Sequence, residues 1–403
     1  MERKITIIGC GMGTRQGMTI EAAEALDAAG AVFGPARLTE ALARAGQQAA
    51  VGYRSGELLS FLETVLEERI AVLVSGDSGF YSGAAMYLQA LRDRKDIHVR
   101  ICPGISSLSC LAARTGQSWE DAAIYSLHGR AQNYYASLCS GEKFVLLGGT
   151  GFSEVLGELC RSGFGSSRIW LGEQLGGAEE KILTGTAEKM MTAETGALSV
   201  LMVQPVGDGR ILRRSGIEDD AFVRGKTPMT KSEVRAVSMS RLAVGRRDIV
   251  YDIGAGTGSV SVELSIAAAY GTVYAIERDA EALGILRQNR ERFFGRNMQI
   301  VEGEAPEALA DLPSPDKAFI GGSGGKMRQI LELLKQKNPQ IHVVVNAAAL
   351  ETLQETLAAM EALGYTGMET VQIAAVRTVQ RGKYHMLEGL NPVYVITADG
   401  MRA

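Results

Sequence analysis

Three closely spaced glycines and a downstream glutamate form the clearest candidate site in this sequence. The glycines follow an apolar run and precede a helical pattern; they are Gly254, Gly256 and Gly258. A second apolar run ends at Glu277, whose carboxylate can accept hydrogen bonds from two ribose hydroxyls. This order of strand, glycine turn, helix and acidic strand end predicts a nucleotide-binding βαβ unit.

The spacing of the glycines indicates which nucleotide the unit binds. A dinucleotide fingerprint places its third glycine five positions after the first, where this chain has Ser259. S-adenosylmethionine carries no pyrophosphate, so its loop only has to let the methionine end lie against backbone N–H groups and a helix N-terminus. The sequence therefore predicts a methyl-donor site. A glycine turn in some other α/β domain and a nicotinamide oxidoreductase are the alternatives.

Other strand ends in the C-terminal half carry residues suited to the same site. Glu304 and Ala305 follow the third strand, where a backbone N–H and a side-chain acceptor can bind the adenine edge; an ordinary turn is the alternative. Gly322 and Gly324 follow the fourth strand, and glycine there lets a large flat acceptor approach the backbone. Thr230 precedes the first helix, where it either caps that helix or closes one wall of the pocket.

The N-terminal half has glycine-rich strand ends of its own. A first turn spans residues 9–13, and turns at 76–81 and 103–107 follow two later strands. Open α/β sheets bind ligands at such strand ends. No acidic residue ends a second strand at the right distance, so this first turn is not given the role of the one at Gly254. For His128, a structural or cofactor-adjacent role is favoured over a general base.

Composition sets the class of protein and argues against several functions. The sequence is 46% hydrophobic and 22% charged, with a formal net charge of −4, a composition typical of a globular protein. Its length of 403 residues predicts two domains. Neither half is strongly basic, which argues against nucleic acid and an anionic membrane as partners. Five cysteines without a C-x-x-C pair, and only four histidines, predict no metal site and a reducing, cytoplasmic location. No signal peptide or membrane span is expected.

The alternation of apolar runs and helical patterns predicts an α/β fold in both halves. We expect a first domain over residues 1–205, a polar linker over 206–227 and a second domain over 228–403. The first domain is expected to break into two lobes near residues 115–119, and the second to hold one complete parallel sheet with an added C-terminal hairpin. The predicted strands are 4–8, 71–75, 99–102, 143–147, 169–171, 198–203, 249–251, 273–276, 298–301, 317–320, 341–345 and 393–397. The predicted helices are 19–29, 82–91, 259–269, 281–294 and 326–335.

Two sets of motifs resemble known families, and together they cover nearly the whole chain. The first half carries GCGMG, GDSGFY, PGISS and LGEQLG, a set similar to the tetrapyrrole methylases, two-lobed enzymes that bind S-adenosylmethionine between their lobes. The second half carries TPMTKSEVR, DIGAGTGSVSVEL, GEAPEAL and GGSGGKMRQIL. This second set resembles a Rossmann-like class I methyltransferase of the corrin pathway that methylates carbon 15 and decarboxylates the acetate on carbon 12. A fusion in this order is similar to the family that methylates a precorrin or cobalt-precorrin at carbons 5 and 15 in cobalamin (vitamin B12) biosynthesis.

The resemblance implies two S-adenosylmethionine sites, one in each domain. With the strand-end residues above, the expected cofactor-binding residues are Gly76, Asp77, Phe80, Ser106, Ser107, Thr230, Gly254, Gly256, Gly258, Glu277, Glu304 and Ala305. The expected substrate-binding residues are Gly11, Gly13, Arg235, Gly322, Gly324 and Arg381. The two arginines are expected to pair with peripheral carboxylates of the macrocycle. Three positions depart from the family pattern of the glycine loops, which weakens a catalytic role for an acidic residue in the first loop; they are Met12, Thr14 and Ser78.

The implied chemistry needs no metal and no cofactor beyond S-adenosylmethionine. The electron-rich macrocycle is itself the carbon nucleophile, so alignment with the methyl donor would supply most of the catalysis, and no general base is identified. The resemblance alone implies a homo-oligomer. The alternatives are an RNA or protein methyltransferase, which the neutral charge balance disfavours, and a non-catalytic S-adenosylmethionine sensor. Whether the substrate carries cobalt stays open at this point.

Overall fold

The structure, a computed structural model, describes residues 3–127, 132–148, 151–207 and 215–401. His128 and residues 208–214 of the predicted linker lie outside the described residues. Within the described ranges, no helix is both long enough and apolar enough to span a membrane.

The chain begins with a five-stranded parallel sheet in the order β3-β2-β4-β1-β5. Its elements are β1 (Arg3–Gly9), α1 (Ile20–Asp27), β2 (Ala31–Gly34), α2 (Ala36–Leu42), β3 (Gln48–Val51), α3 (Ser55–Thr64), β4 (Arg69–Val74), α4 (Ala84–Leu91), β5 (Ile97–Cys102) and α5 (Ser107–Thr115). The middle strand β4 is buried at every residue but its first, because hydrophobic clusters cover both faces of the sheet. Burial on both faces explains the unbroken apolar run of this strand.

A second sheet follows, in which β7, β10, β8 and β9 are neighbours in that order. The elements of this stretch are β6 (Ala123–Ser126), α6 (Tyr135–Ser140), β7 (Phe144–Leu147), α7 (Phe152–Arg161), β8 (Arg168–Glu173), β9 (Lys181–Thr186), α8 (Ala187–Met190) and β10 (Ser199–Gln204). Strand β8 is antiparallel to both β9 and β10. The end of α5 and the residues after it separate the two sheets, which agrees with the predicted break near 115–119.

The C-terminal part is a seven-stranded sheet in the order β13-β12-β11-β14-β15-β19-β16. Its helices are α9 (Ser232–Leu242), α10 (Ser259–Ala267), α11 (Ala280–Arg292), α12 (Met327–Lys337) and α13 (Leu350–Ala362). Its strands are β11 (Ile249–Ile253), β12 (Thr272–Glu277), β13 (Met298–Glu302), β14 (Lys317–Ile320), β15 (His342–Ala347), β16 (Thr366–Ile373) and β19 (Val393–Asp399). The strands from β11 to β15 are parallel, as predicted, whereas β19 runs antiparallel between β15 and β16. A separate hairpin consists of β17 (Val376–Arg381) and β18 (Tyr384–Gly389).

The chain forms two compact units, each assembled from more than one segment. Unit 1 consists of Met1–Ala122, Val145–Cys160 and Gly165–Gln204. Unit 2 consists of Ala123–Phe144, Arg161–Phe164 and Pro205–Ala403. Two segments inside the predicted first domain therefore pack with the second unit. One of them contributes Tyr134, whose ring lies 5.3 Å from that of Phe294.

Candidate active site

In unit 2, the predicted glycine turn lies where two neighbouring strand ends meet. The N–H groups of Gly254 and Ala255 both donate to the carbonyl of Ile276, at 3.0 Å, at the end of β12. A Cβ on Gly254 would lie 2.7 Å from backbone atoms of Gly322, in the loop after β14. Gly254 also has a φ of 72°, so both the close approach and the conformation require glycine.

The carboxylate of Glu277 lies against this turn, as the spacing predicted. Its Oε2 accepts the N–H of Gly256 at 2.7 Å, and its Oε1 accepts those of Arg278 and Asp279 at 2.8 Å. The backbone therefore fixes the orientation of an anionic acceptor beside the glycine loop. Such an arrangement suits the recognition of vicinal hydroxyls, and contact with a ribose stays a prediction.

The loop after β13 brings Glu304 to Gly324. A Cβ on Gly324 would lie 2.8 Å from Oε1 of Glu304, and the same oxygen accepts a hydrogen bond from the guanidinium of Arg278. Oε2 of Glu304 accepts from Nζ of Lys326 at 3.2 Å, and that ammonium also contacts Glu307. The carboxylates of Glu307 and Glu304 raise the pKa of Lys326. Glu304 is thus already paired with cations, and its neighbour Ala305 is buried.

A buried carboxyl beneath the glycine loop had no role in the sequence analysis. Asp252 lies on β11, two residues before Gly254, and is fully buried. The hydroxyl of Ser261 donates to its Oδ2, whereas its Oδ1 has no hydrogen-bond partner among the described residues. Burial, followed by the charge of Glu277, raises the pKa of Asp252 to about 7. An acidic residue in front of the glycines was visible in the sequence, but nothing there indicated its burial.

The structure corrects the role predicted for Arg235. Its side chain is 0% exposed, and Nε donates to Glu263 at 2.6 Å. Its terminal nitrogens donate to the carbonyls of Thr230 and Ile217. The prediction that Arg235 pairs with a substrate carboxylate is therefore wrong, because its donors are used inside the fold. Arg235 instead ties α9 to α10 and to the segment before α9.

Thr230 lies in the segment just before α9, whereas Arg381 lies on the hairpin of β17 and β18. The N-cap of α9 is Lys231, without a side-chain hydrogen bond, so Thr230 does not cap this helix. The same segment contributes Pro228, whose carbonyl would lie 3.6 Å from a Cβ on Gly256. Arg381 lies on the exposed hairpin, where it pairs with Glu388 at 3.9 Å. The wall beside the glycine loop thus comes from the segment before α9, and a pocket contact of Thr230 itself stays a prediction.

In unit 1, the three predicted loops meet at the carboxyl ends of β4, β1 and β5. Gly11 and Gly76 exchange backbone hydrogen bonds of 3.1 and 2.8 Å. A Cβ on Gly104 would lie 2.2 Å from the carbonyl of Gly76, so the backbones are packed directly on each other. Asp77 fixes the arrangement, because its two carboxylate oxygens accept the N–H groups of Gly79 and Gly104 at 2.8 and 3.0 Å.

The remaining predicted cofactor residues of this unit surround the same point. A Cβ on Gly76 would lie 3.9 Å from the α-carbon of Ser106, whose hydroxyl caps α5 by accepting the N–H of Ser109 at 3.0 Å. Ser107 is the first residue of that helix. Phe80 is half-buried, and its ring lies 5.2 Å, between centroids, from the ring of the exposed Tyr81. The structure therefore brings these residues together, while their contact with a cofactor stays a prediction.

The glycines predicted to contact the substrate in this unit are themselves buried. Gly11 has a φ of 55° and Gly13 a φ of 85°. A Cβ on Gly13 would lie 2.4 Å from Nη1 of Arg37, a residue that the sequence analysis did not single out. Because both glycines are buried and have a positive φ, we expect them to set the shape of the loop, and direct contact with the substrate is less favoured. Arg37 belongs to none of the sequence motifs, and only its position just after β2 could have indicated that it lies at this site.

Within the described ranges, no group of three or more His, Cys, Asp and Glu side chains is placed to hold a metal ion. No disulfide joins the five cysteines. Cys10 is buried, which raises the pKa of its thiol to about 12 and keeps it protonated.

Comparisons with known proteins match both halves of the chain. A family described as tetrapyrrole (corrin/porphyrin) methylases matches residues 4–191, and one described as a precorrin methyltransferase domain matches residues 220–398. A Sinorhizobium protein named precorrin-6Y C(5,15)-methyltransferase [decarboxylating] is 34% identical over 82% of this chain and 82% of its own length. A Pyrobaculum calidifontis protein named probable cobalt-precorrin-6B C(15)-methyltransferase (decarboxylating) is 41% identical over 45% of this chain and 95% of its own. A crystal structure titled precorrin-6y C5,15-methyltransferase, from Geobacter metallireducens, is 40% identical, covers 46% of this chain and 98% of that one, and has a TM-score of 0.45.

Proposed function

This chain belongs to the decarboxylating precorrin-6Y C(5,15)-methyltransferases, and from that membership we propose its reaction. The enzyme transfers methyl groups from S-adenosylmethionine to carbons 5 and 15 of a precorrin or cobalt-precorrin. It also removes the acetate carboxyl on carbon 12 as carbon dioxide, a step of cobalamin biosynthesis. The named relatives do not favour an RNA or protein methyltransferase, or a non-catalytic sensor.

Methyltransferases of this family use S-adenosylmethionine, and we propose one binding site in each unit. In unit 2, the glycine turn leaves no room for a Cβ at Gly254, and Glu277 presents a fixed acceptor beside it. In unit 1, the packed backbones of Gly11, Gly76 and Gly104 form a comparable close approach at three strand ends. In unit 2, the spacing of the glycines supports a nucleoside with a short charged chain over a dinucleotide.

The residues of each site act by holding the reactants in place. When bound, S-adenosylmethionine supplies an electrophilic methyl group, and the reduced macrocycle supplies the carbon nucleophile. Glu277 and Asp77 are held by backbone N–H groups, so their orientation costs little to maintain when a ligand binds. Alignment of the methyl group with the target carbon is the main contribution that such rigid sites offer.

The observation that carries the proposal is the carboxylate of Glu277 against the glycine turn. We expect the wild-type chain to bind two molecules of S-adenosylhomocysteine in calorimetry and Glu277→Ala to bind one. The matched control is Glu302→Ala, because Glu302 ends the neighbouring strand in register with Glu277 but is exposed and pairs with Arg287. This control is expected to retain both sites.

Product masses test the reaction itself. Incubated with S-adenosylmethionine and either the metal-free or the cobalt-containing substrate, the full chain is expected to add two methyl groups and release one carbon dioxide. Glu277→Ala is expected to lose the carbon 15 methylation and to keep that on carbon 5, whereas Asp77→Ala is expected to do the opposite. No mass change with either substrate, despite cofactor binding, would overturn the corrin assignment.

We also propose a homo-oligomer, supported by the exposed hairpin of β17 and β18. Its two faces carry apolar side chains, of which Leu387 is 77% exposed, Tyr384 63% and Val376 62%. A two-stranded hairpin outside any larger sheet is only marginally stable alone, so a second copy is a suitable covering partner. Absence of nucleic acid as a partner and the cytoplasmic location stay predictions from composition.

A further inference from the structure

Arg37 lies at the carboxyl ends of three strands of the first sheet. It follows β2, and its Nη1 donates to the carbonyl of Met12, in the loop after β1, at 3.0 Å. Its Nη2 donates to the hydroxyl of Ser75, at the end of β4, also at 3.0 Å. Since β2, β4 and β1 are neighbours, the guanidinium lies at the edge where open α/β sheets bind their ligands.

This guanidinium has no counter-ion among the described residues. Some arginines of the unit have carboxylate partners, such as Arg44 with Asp27 at 2.7 Å and Arg100 with Glu21 at 2.6 Å, whereas Arg3 donates to carbonyls as Arg37 does. Near Arg37, Cys10 is the titratable group that interacts with it, and that buried thiol is protonated. Partial removal from water against the loop lowers the pKa of Arg37, although the side chain stays exposed on its other side.

We propose that Arg37 binds a peripheral carboxylate of the tetrapyrrole in the N-terminal site. This inference rests on the proposed function, because that macrocycle is a polycarboxylate. A guanidinium has five N–H donors, and the two neutral acceptors leave part of this fork available for a bidentate carboxylate. The two hydrogen bonds orient the fork toward the loops that meet at Gly76, and the missing charge partner would be supplied by the substrate.

The variants separate the charge of Arg37 from its hydrogen bonds to the loop. Arg37→Gln keeps donors for Met12 and Ser75 but removes the charge, and Arg37→Lys keeps the charge but not the fork. The matched control is Arg44→Gln, which removes a cation of the same unit that already has a carboxylate partner. All variants are made in the full chain, so that methylation at carbon 15 serves as an internal reference.

The measurement is the KM of each methylation for the tetrapyrrole substrate and for S-adenosylmethionine. Arg37→Gln is expected to raise the tetrapyrrole KM of carbon 5 methylation about tenfold or more, the range for a lost charge-assisted contact. The KM for S-adenosylmethionine and the carbon 15 reaction are expected to be unchanged. Arg37→Lys should fall between wild type and Arg37→Gln, and Arg44→Gln should match wild type.

Several results would overturn the role of Arg37. An unchanged tetrapyrrole KM in Arg37→Gln would show that the residue only braces the loop. A parallel rise in the KM for S-adenosylmethionine, or a drop in melting temperature with equal losses at carbons 5 and 15, would do the same. If wild type methylates no tetrapyrrole at all, the proposed function itself fails, and the role of Arg37 fails with it.

Discussion

Asp252 is an ionisable group placed where its charge is costly. It lies inside the sheet beneath the glycine turn, and one of its oxygens has no hydrogen-bond partner among the described residues. Because burial raises its pKa to about 7, the folded chain binds a proton that the unfolded chain has already released at neutral pH. Stability that depends on this group is therefore greatest at low pH.

The pH dependence follows from the direction of this shift. The pKa of the unfolded carboxyl lies near its usual value of 3.8 and that of the folded one at about 7. Between these values the folded state binds more protons, so the free energy of unfolding falls as pH rises and the full penalty is present above pH 7. Asp252→Asn removes the titration. We expect its melting temperature to exceed that of wild type by more at pH 8 than at pH 5, by roughly 2 °C or more.

Calorimetry of wild type and variant at both pH values measures this difference. Asp311→Asn, which removes an exposed carboxyl from the same unit, is the control and should behave alike at the two pH values. If the gain of Asp252→Asn were equal at pH 5 and pH 8, Asp252 would be ionised in the folded chain and its burial would not govern its titration.

Single residues differ in how well the sequence predicted their surroundings. Glu277 was predictable, because strand end and glycine turn are both local features and their spacing brings them together. Arg235 was not, because its partner Glu263 lies on another helix and a charged residue in a helix is usually solvated. Arg37 had no motif at all, since its contacts come from two loops distant in sequence.

At the scale of elements, one buried ion pair connects α9 and α10. Arg235 and Glu263 are both 0% exposed, and the carboxylate also accepts the N–H groups of Gly216 and Ile217 at 3.0 Å. The pair therefore fixes the segment before α9 against the helix that follows the glycine turn. Removal of one partner leaves the other as an unpaired buried charge, which typically lowers the free energy of unfolding by about 3–5 kcal/mol.

We expect Arg235→Met to lower the free energy of unfolding of this region by about 3–5 kcal/mol. The matched control is Arg241→Met, on the same helix, whose partner Glu369 is exposed; it should cost about 1 kcal/mol or less. The reporter is hydrogen exchange of α9 and α10 in the full chain across a urea series. The double variant Arg235→Met with Glu263→Met should lose less than the sum of the single losses. A loss in Arg235→Met no larger than that of the control would contradict this assignment.

Elements were predictable where their apolar pattern was strong. The parallel strands from β11 to β15 followed from buried runs, and their observed bounds lie within two residues of those predicted. The sequence analysis gave no bounds for the short strands β2, β3 and β6, for β9, or for the exposed β16, β17 and β18, although it expected a C-terminal hairpin. An exposed strand such as β18 has no buried face, so the alternation that marks a half-buried strand does not develop.

At the scale of the whole molecule, the hairpin of β17 and β18 is notable for its exposed apolar side chains. Its strands pair with each other in a two-stranded sheet of their own, apart from the seven-stranded sheet. Arg377 anchors it to α9 by pairing with Glu233 at 2.5 Å, and this arginine holds the pKa of Glu233 at about 2. The hairpin is thus held in place at its base while its apolar side chains remain exposed.

A second copy of the chain would cover these side chains, which makes the mass in solution the decisive measurement. We expect wild type to be a homo-oligomer by light scattering, and Leu387→Glu to shift the mass toward the monomer, because a buried charge in an apolar interface is costly. Leu350→Glu is the matched control, since Leu350 is 67% exposed at the start of α13 and lies outside the hairpin. It should leave the mass unchanged. A monomeric wild type, or a Leu387→Glu variant with the wild-type mass, would remove the hairpin as the interface and leave its exposed apolar faces to some other partner.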